Sequence, residues 1–388
     1  MLGTLVAVAV ARMHNLESFI WDMPSGILTD IWISLASLGD YEGCRLERVW
    51  TRWHKSPNSA MYSAAPAGAP WGFTLPSTEF LATAGGLTKR DSVMGPTYSR
   101  LPPLKSLSVL DIDELTYVED MSACIAKSWH KLRELRVGIA KHAESYEWNR
   151  SHASDLIRRG DASPLALHKR RGGVLGNLLG RGRCTQEESS TWPERRLELE
   201  ILELERVYLS PLTLMAGLDW TRLTELTILD CPMADVFWDS ACCKMFHAKI
   251  AQLEDPSTQV SRYRPMFPEF NLRLKKLFTN TVTKSLLYFL RNTLQANTLE
   301  TLILQEHIGH PSDVSINEIF TGPVRRHRGS LKKLAIDSGS RPASTEAPAA
   351  RMSYKHWMLD RRQVNYLTCG ELPQLRELCA VLNYHDWV

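Results

Sequence analysis

Apolar and polar residues alternate in a short pattern, Leu-x-x-apolar-x-apolar, that recurs along the chain. In its clearest copy, LTELTILDC, Leu223, Leu226, Ile228 and Cys231 fit the consensus L-x-x-L-x-L-x-x-N/C. The second and third apolar positions are two residues apart, so in an extended strand both side chains point to the same side, into a core. Each copy therefore predicts a short strand, and Cys231 marks the point where the chain is expected to turn inward.

Adjacent copies follow one another at similar intervals, whereas larger gaps, such as those from 46 to 104 and from 132 to 199, must hold insertions or degenerate repeats. Leu104 and Leu132 are 28 residues apart, and Leu199 and Leu223 are 24 residues apart. These intervals lie near the roughly 20–29-residue period of leucine-rich repeats. Ten copies are recognisable, and they begin at Leu16, Leu46, Leu104, Leu132, Leu199, Leu223, Leu274, Leu299, Leu331 and Leu375.

The segments between these strands change to an apolar period of about 3.6 residues, which indicates helices. Ser210 and Pro211 add a start signal, as N-cap and first helical residue, and the opening LVAVAVARMHNLESF predicts a helix that finishes a repeat. Arg325, Arg326 and Arg328 are predicted to end a helix, where cations favour the carbonyl end of the dipole. The apolar positions of the other helices are Ile27, Ile31, Leu35 and Leu38; Met121, Ile125 and Trp129; and Val282, Leu286, Phe289 and Leu290.

Strand followed by helix, many times over, predicts an α/β fold of the leucine-rich-repeat type. We expect a curved, right-handed solenoid with parallel strands on the concave face and helices on the convex face. One repeat domain is predicted over residues 1–388, with irregular insertions at 54–103, 141–196 and 338–353. The first insertion is rich in proline, the second contains the basic stretch HKRRGGVLGNLLGRGR, and the third is low in large apolar residues.

Composition restricts the expected binding partners and the expected cellular location of the chain. The chain has 44% hydrophobic and 23% charged residues, which is typical of a soluble globular protein, and a formal net charge of +3. So small a charge gives no electrostatic reason to expect nucleic acid or a membrane as the main partner. The apolar amino-terminal run is too short to span a bilayer. The eight cysteines are sparse and form no CxxC, so we expect reduced thiols and a cytoplasmic or nuclear location.

No catalytic or cofactor motif is recognisable. Glu306, His307 and His310 in EHIGH have the wrong order and spacing for the zinc motif H-E-x-x-H, so exposed loop residues are the better interpretation. P-loop, nucleophile-elbow and dinucleotide-binding motifs are absent. We therefore expect no enzyme activity, no metal and no cofactor. A group of basic residues in the second insertion is expected to lie in a solvated loop. The alternative is that this group binds nucleic acid or acts as a nuclear localisation signal. Its members are Arg158, Arg159, Lys169, Arg170, Arg171, Arg181 and Arg183.

Several segments together resemble filamentous-fungal leucine-rich-repeat proteins of the F-box type: LESFIWDMPSGILTDIW, CRLERVWTRWH, LPPLKSLSVLDIDEL, LRELRVGIA and LTELTILDCP. In that family an amino-terminal F-box binds a Skp-type adaptor within a cullin-RING (SCF) ubiquitin ligase, and the repeats hold the substrate. The resemblance covers most of the chain, but it comes from repeat motifs, which identify a fold better than an activity.

The F-box itself is not found. Its only echo is LPSTEFLATAGG, with Leu75, Pro76 and Glu79, and Gly85–Gly86 would break the expected helix almost at once. The F-box therefore lies upstream of this sequence or was never present, and adaptor binding is expected only in the first case.

The resemblance implies a protein-interaction scaffold that serves as the substrate-recognition part of an F-box type subunit. The alternative is a leucine-rich-repeat scaffold with no ubiquitin-ligase role. In either case the third and fifth positions of each strand point out of the core and form one surface for a protein substrate or partner. The predicted partner-binding residues are Arg48, Trp50, Glu134, Arg136, Glu225, Thr227, Lys276, Phe278, Thr301 and Ile303. For Trp50 an alternative is cover by the insertion that follows it, and the charges are alternatively only solvated.

Overall fold

The structure, a computed structural model, describes residues 2–22, 27–52, 98–112, 116–140, 196–241, 272–306, 312–338 and 357–383. The chain divides into two compact units. Unit 1 comprises Met1–Lys131 and Ile139–Asn149, and unit 2 comprises Leu132–Gly138 and Arg150–Val388.

Unit 1 alternates strands with helices. Its strands are β1 (Ser18–Trp21), β2 (Arg48–Arg52) and β3 (Ser106–Ile112). Its helices are α1 (Leu2–Ala11), α2 (Thr29–Leu38) and α3 (Thr116–Lys127), with a short 3-10 helix at Tyr98–Arg100.

Unit 2 continues the same alternation. Its strands are β4 (Glu134–Ile139, of which Ile139 belongs to unit 1), β5 (Ile201–Glu205), β6 (Glu225–Leu229), β7 (Lys276–Thr279), β8 (Thr301–Gln305), β9 (Lys333–Asp337), β10 (Met358–Leu359), β11 (Glu377–Cys379) and β12 (Val381–Leu382). Its helices are α4 (Pro211–Gly217), α5 (Lys284–Asn292), α6 (Ile316–Ile319) and α7 (Arg361–Thr368). Residues 234–241 are also helical, and a π-helical turn follows α6 at Phe320–Val324.

The strands are parallel, and their order in the sheet follows the order of the chain. In the described part of unit 1 the order is β1-β2-β3, and in that of unit 2 it is β4-β5-β6-β7-β8-β9-β11. Strands β10 and β12 form a separate parallel pair. The predicted α/β class with parallel strands is therefore confirmed.

One backbone arrangement repeats at each junction between neighbouring strands. The carbonyl oxygen at the second position of a repeat accepts two N–H groups, those of the second and third positions of the next repeat. Glu47 O accepts from Lys105 N at 2.7 Å and from Ser106 N at 3.0 Å. Lys275 O likewise accepts from Glu300 N at 2.7 Å and from Thr301 N at 2.9 Å. The recurrence shows that the sequence copies are structurally equivalent units.

The inward positions of the repeats form the core. The first leucines from Leu46 to Leu331 are all buried, and so are the fourth-position residues from Phe19 to Leu334. The last copy departs from this pattern, because Leu375 is half-buried and Leu378 is 48% exposed. Among the described residues β11 is bonded on one side only, to β9, so no further repeat covers its inward face.

Two repeats that place threonine at the sixth position also bury it. Thr51 and Thr279 both have 0% exposure. The Thr51 hydroxyl lies 3.1 Å from the Tyr98 hydroxyl, and the Thr279 hydroxyl accepts the Thr281 N–H at 3.2 Å. Both buried hydroxyls are hydrogen-bonded, which removes the main cost of a polar side chain in the core.

The predicted helices are present, with local differences. Pro211 is the first residue of α4, but the Ser210 hydroxyl pairs with the Thr213 hydroxyl at 2.9 Å and makes no capping bond to the backbone. Trp129 lies in the turn after α3 and is half-buried. Ser128 is buried there instead, because its hydroxyl accepts the Leu104 N–H at 2.9 Å.

Consecutive helices of unit 2 contact one another. The Trp238 ring, from helical residues 234–241, lies 5.3 Å from the Phe289 ring of α5. The Gln363 amide of α7 donates to Asn317 of α6 at 2.5 Å. Helices as well as strands therefore follow one another in chain order within this unit.

Most of the three predicted insertions lies outside the described residues, as do the basic group from Arg158 to Arg183, the LPSTEFLATAGG segment and the two histidines of EHIGH. Residues 98–103 are described, and Tyr98 and Leu101 belong to the core, with 1% and 0% exposure.

Candidate protein-interaction surface

The outward side chains of unit 2 form two continuous rows across its strands. The strand register aligns the third positions with one another and the fifth positions with one another. We name the first the third-position row: Glu134, Ile201, Glu225, Lys276, Thr301, Lys333 and Glu377. The second is the fifth-position row: Arg136, Glu203, Thr227, Phe278, Ile303, Ala335 and Cys379.

The predicted partner-binding residues occupy these rows as expected from strand alternation. The eight that belong to unit 2 are half-buried or exposed, and they alternate with buried neighbours. The prediction left out six residues on the same rows, Ile201, Glu203, Lys333, Ala335, Glu377 and Cys379. The repeat pattern at Leu199, Leu331 and Leu375 was sufficient to find them.

The centre of the fifth-position row is apolar. Phe278, Ile303 and Ala335 are neighbours on β7, β8 and β9, and Thr227 extends them by one strand. All four side chains are half-buried, so part of each side chain remains accessible on the outward face of the strands. Aromatic side chains such as that of Phe278 are enriched in protein interfaces.

Two lysines of the third-position row lie beside this apolar centre. Lys276 and Lys333 lie on either side of Thr301 in the strand register, and each precedes the apolar residue of its own strand by two positions. Lys276 bonds to Glu225 at 2.5 Å and Lys333 to Glu377 at 2.6 Å. Exposed ion pairs of this kind are worth little, so the ammonium groups can exchange partners at low cost.

The second positions add further lysines beside the same strands. Lys332 donates to Glu300 at 2.6 Å, and Lys275 lies 3.6 Å from the other oxygen of that carboxylate. The hydrogen bond from Lys332 is the main cause that lowers the pKa of Glu300. The second and third positions of β7 to β9 together carry four lysines and one glutamate, and when the paired Glu225 and Glu377 are included, four lysines meet three carboxylates.

Arg136 and Glu203 form an ion pair at the β4–β5 side of the fifth-position row, at 3.5 Å. Burial raises the pKa of Glu203, while Arg136 opposes that shift and Glu205 adds to it. The carboxylate is thus partly desolvated and has a cationic partner.

The turn after the strands is built by hydrogen bonds and carries no reactive group. Arg206 and Asp230 adopt positive φ angles of 57° and 51° at the eighth position of their repeats. Cys231 follows and is 5% exposed, with its thiol donating to the carbonyl oxygens of Leu204 and Leu229, each at 3.3 Å. Burial raises the pKa of Cys231 to about 12, so the thiol stays protonated. Its predicted role, turning the chain inward, is confirmed.

Unit 1 presents its own outward residues. Ile20 is 62% exposed and lies in register with Trp50, which is half-buried, while Arg48 is exposed. The indole N–H of Trp50 is buried and has no hydrogen-bond partner in the part of the chain that the structure describes. Arg52, the last residue of β2, forms ion pairs with Asp22 at 2.5 Å and with Asp111 at 2.7 Å.

Neither a metal cluster nor a membrane-spanning helix is found among the described residues. Glu306, the one described residue of the EHIGH segment considered above, accepts the Ser312 N–H at 2.7 Å. That hydrogen bond links Glu306, directly after β8, to Ser312.

Comparisons with known proteins add no relative. No protein-family model, no curated protein and no solved structure matches the chain. The resemblance to fungal F-box repeat proteins therefore stays a prediction from the sequence, and the functional interpretation depends on the chain's own geometry.

Proposed function

We propose that this chain is a leucine-rich-repeat scaffold that binds another protein on the outward face of its strands. In this proposal the repeats build a curved, right-handed solenoid, with the strands on the concave side and the helices on the convex side. Parallel strands in chain order, with a helix in most connections, support that architecture.

One observation carries the binding role. The register brings Thr227, Phe278, Ile303 and Ala335 into a row of accessible side chains that lies beside paired charges. A central apolar patch with a polar rim is the usual composition of a protein interface. No such apolar row is needed for folding, because the opposite face of the same strands already forms the core.

Within this function we propose that the scaffold is the substrate-recognition part of an F-box type subunit of a cullin-RING ubiquitin ligase. The sequence resemblance supports this role, and the alternative is a repeat scaffold with no ligase role. Reading the coding sequence upstream of Met1 distinguishes the two. An F-box there, followed by a stoichiometric complex of the longer chain with purified Skp-type adaptor, supports the ligase role. A stop codon close upstream supports the alternative.

The binding face is tested by substitution. Trp50→Ala and Arg136→Ala each remove an outward side chain, and Phe278→Ser removes the apolar anchor at the centre of unit 2. We expect melting temperatures close to that of the wild type and a reduced set of proteins captured from a host lysate. If all three variants melt normally and capture the full wild-type set, the outward face is not the binding surface.

A further inference from the structure

The outward face over β7, β8 and β9 combines two chemistries in a fixed geometry. Lys276, Thr301 and Lys333 align in the third-position row, and Phe278, Ile303 and Ala335 align in the fifth-position row. The two rows are two residues apart along each strand, which is about 6.6 Å. A basic row therefore runs parallel to an apolar row at the i to i+2 spacing of an extended chain.

We propose that this face binds an extended protein segment in which an acidic side chain lies two residues from an apolar side chain. The inference rests on the proposed function and adds the chemistry of the partner. The carboxylate bonds to the ammonium groups of Lys276 and Lys333 and to the hydroxyl of Thr301. The apolar side chain covers Phe278 and Ile303.

Charge complementarity selects an acidic segment over a basic one. The second and third positions of β7 to β9 contain four lysines, Lys275, Lys276, Lys332 and Lys333, and one carboxylate, that of Glu300. The neighbouring strands supply Glu225 and Glu377, which bond to the two row lysines at 2.5 and 2.6 Å. The lysine side chains are 43–57% exposed, so they remain open to a second anion.

The basic row and the apolar row together restrict which peptide sequences can bind. Exposed ion pairs contribute little by themselves, so the lysines alone give poor selectivity between acidic segments. The apolar row supplies burial but accepts many sequences. A carboxylate and an apolar side chain held 6.6 Å apart, about two residues, satisfy both rows at once, and this spacing is the specific prediction.

The test uses a display library of random twelve-residue peptides selected on the immobilised full chain. We expect enrichment of Asp or Glu two residues from Leu, Ile or Phe. The double variant Lys276→Glu/Lys333→Glu should bind the selected peptides about tenfold more weakly, and should select Lys or Arg at the same spacing. Lys284→Glu is the control for charge: Lys284 is 62% exposed on α5, where it pairs with Asp313. This variant reverses one lysine away from the face, against two in the double variant, and should leave binding unchanged.

The outcomes separate this inference from the proposed function. Peptides whose binding is lost in Phe278→Ser, but which lack an acidic preference or bind the double lysine variant normally, overturn the inference and leave the binding face standing. If no selected peptide depends on Phe278 or on the lysines, the inference is wrong, and the capture experiment with Trp50→Ala, Arg136→Ala and Phe278→Ser decides the proposed function. Equal loss in Lys284→Glu and in the double variant also overturns the inference, because the effect is then general charge.

Discussion

His327 makes the stability of unit 2 depend on pH. Its ring is fully buried, with Nε2 lying 3.1 Å from Leu290 O and Nδ1 accepting the Leu299 N–H at 3.5 Å. Burial lowers the pKa of His327 from 6.5 to about 4, so the folded protein holds the neutral ring. The unfolded chain binds a proton at a higher pH than the folded chain, and the free energy of unfolding therefore falls as the pH drops from 6.5 towards 4.

The magnitude follows from the size of the shift. A difference of about 2.5 pKa units corresponds to roughly 3 kcal/mol once the pH is below both values, and to about 2 kcal/mol at pH 5. Against a total stability of about 5–15 kcal/mol, this loss is large.

The assay compares urea unfolding of the wild type with that of His327→Gln at pH 7 and at pH 5. Glutamine keeps a donor and an acceptor but does not titrate in this range, so carboxylates such as Glu300 contribute equally to both proteins. We expect the wild type to lose about 2 kcal/mol more than the variant between the two pH values. Equal losses would refute the reasoning, because they would mean that His327 titrates with the same pKa in the folded and unfolded chains.

Two further predictions concern the core. Leu226→Asp and Leu302→Asp should each abolish soluble expression, because both leucines are at most 1% exposed and an unpaired buried carboxylate costs several kcal/mol. Thr227→Asp, on the outward face of β6 beside Leu226, should stay soluble. Normal melting of either leucine variant would show that the inward positions are misassigned. Among the described cysteines, a thiol reagent should modify exposed Cys369 and Cys379 in the folded protein but not Cys124 or Cys231, whose pKa values burial raises to about 12. Mass spectrometry locates the labels, and modification of Cys231 before unfolding would contradict its burial.

The repeat strands were predictable because burial and periodicity coincide in them. Leu223, Leu226 and Ile228 need only the two-residue alternation of a strand to be placed in the core, and the same frame fixes which residues point outward. Tyr98 and Leu101 were not predictable in this way, because they lie at the end of a proline-rich stretch that has no repeat spacing. Their burial depends on contacts distant in sequence, such as that between Tyr98 and Thr51, 47 residues away.

The sequence predicts which charged residues lie on the outward face, but it does not predict which of them form ion pairs. Alternation identifies Lys276 and Glu225 as outward residues, but they are 51 residues apart, and only the register of β6 with β7 makes them partners. The position of Thr301 between two lysines likewise requires both of its strand neighbours. A single sequence contains the repeat frame, whereas the electrostatics of the surface arise from how consecutive frames are aligned.

The polar residues that precede each strand have a structural explanation, which separates them from the outward lysines. Ser128 and His327 both lie four residues before the first leucine of the next repeat, and each accepts the N–H of the first leucine of its own repeat, Leu104 or Leu299. That N–H belongs to a buried leucine and needs an acceptor, so a polar side chain near the end of the same repeat contributes to folding. No backbone group requires Lys276 or Lys333, whose described contacts are exposed carboxylates on adjacent strands. The described backbone therefore leaves Lys276 and Lys333 open to substitution, which is why they, rather than Ser128 and His327, are the positions at which the proposed binding can be tested without loss of the fold.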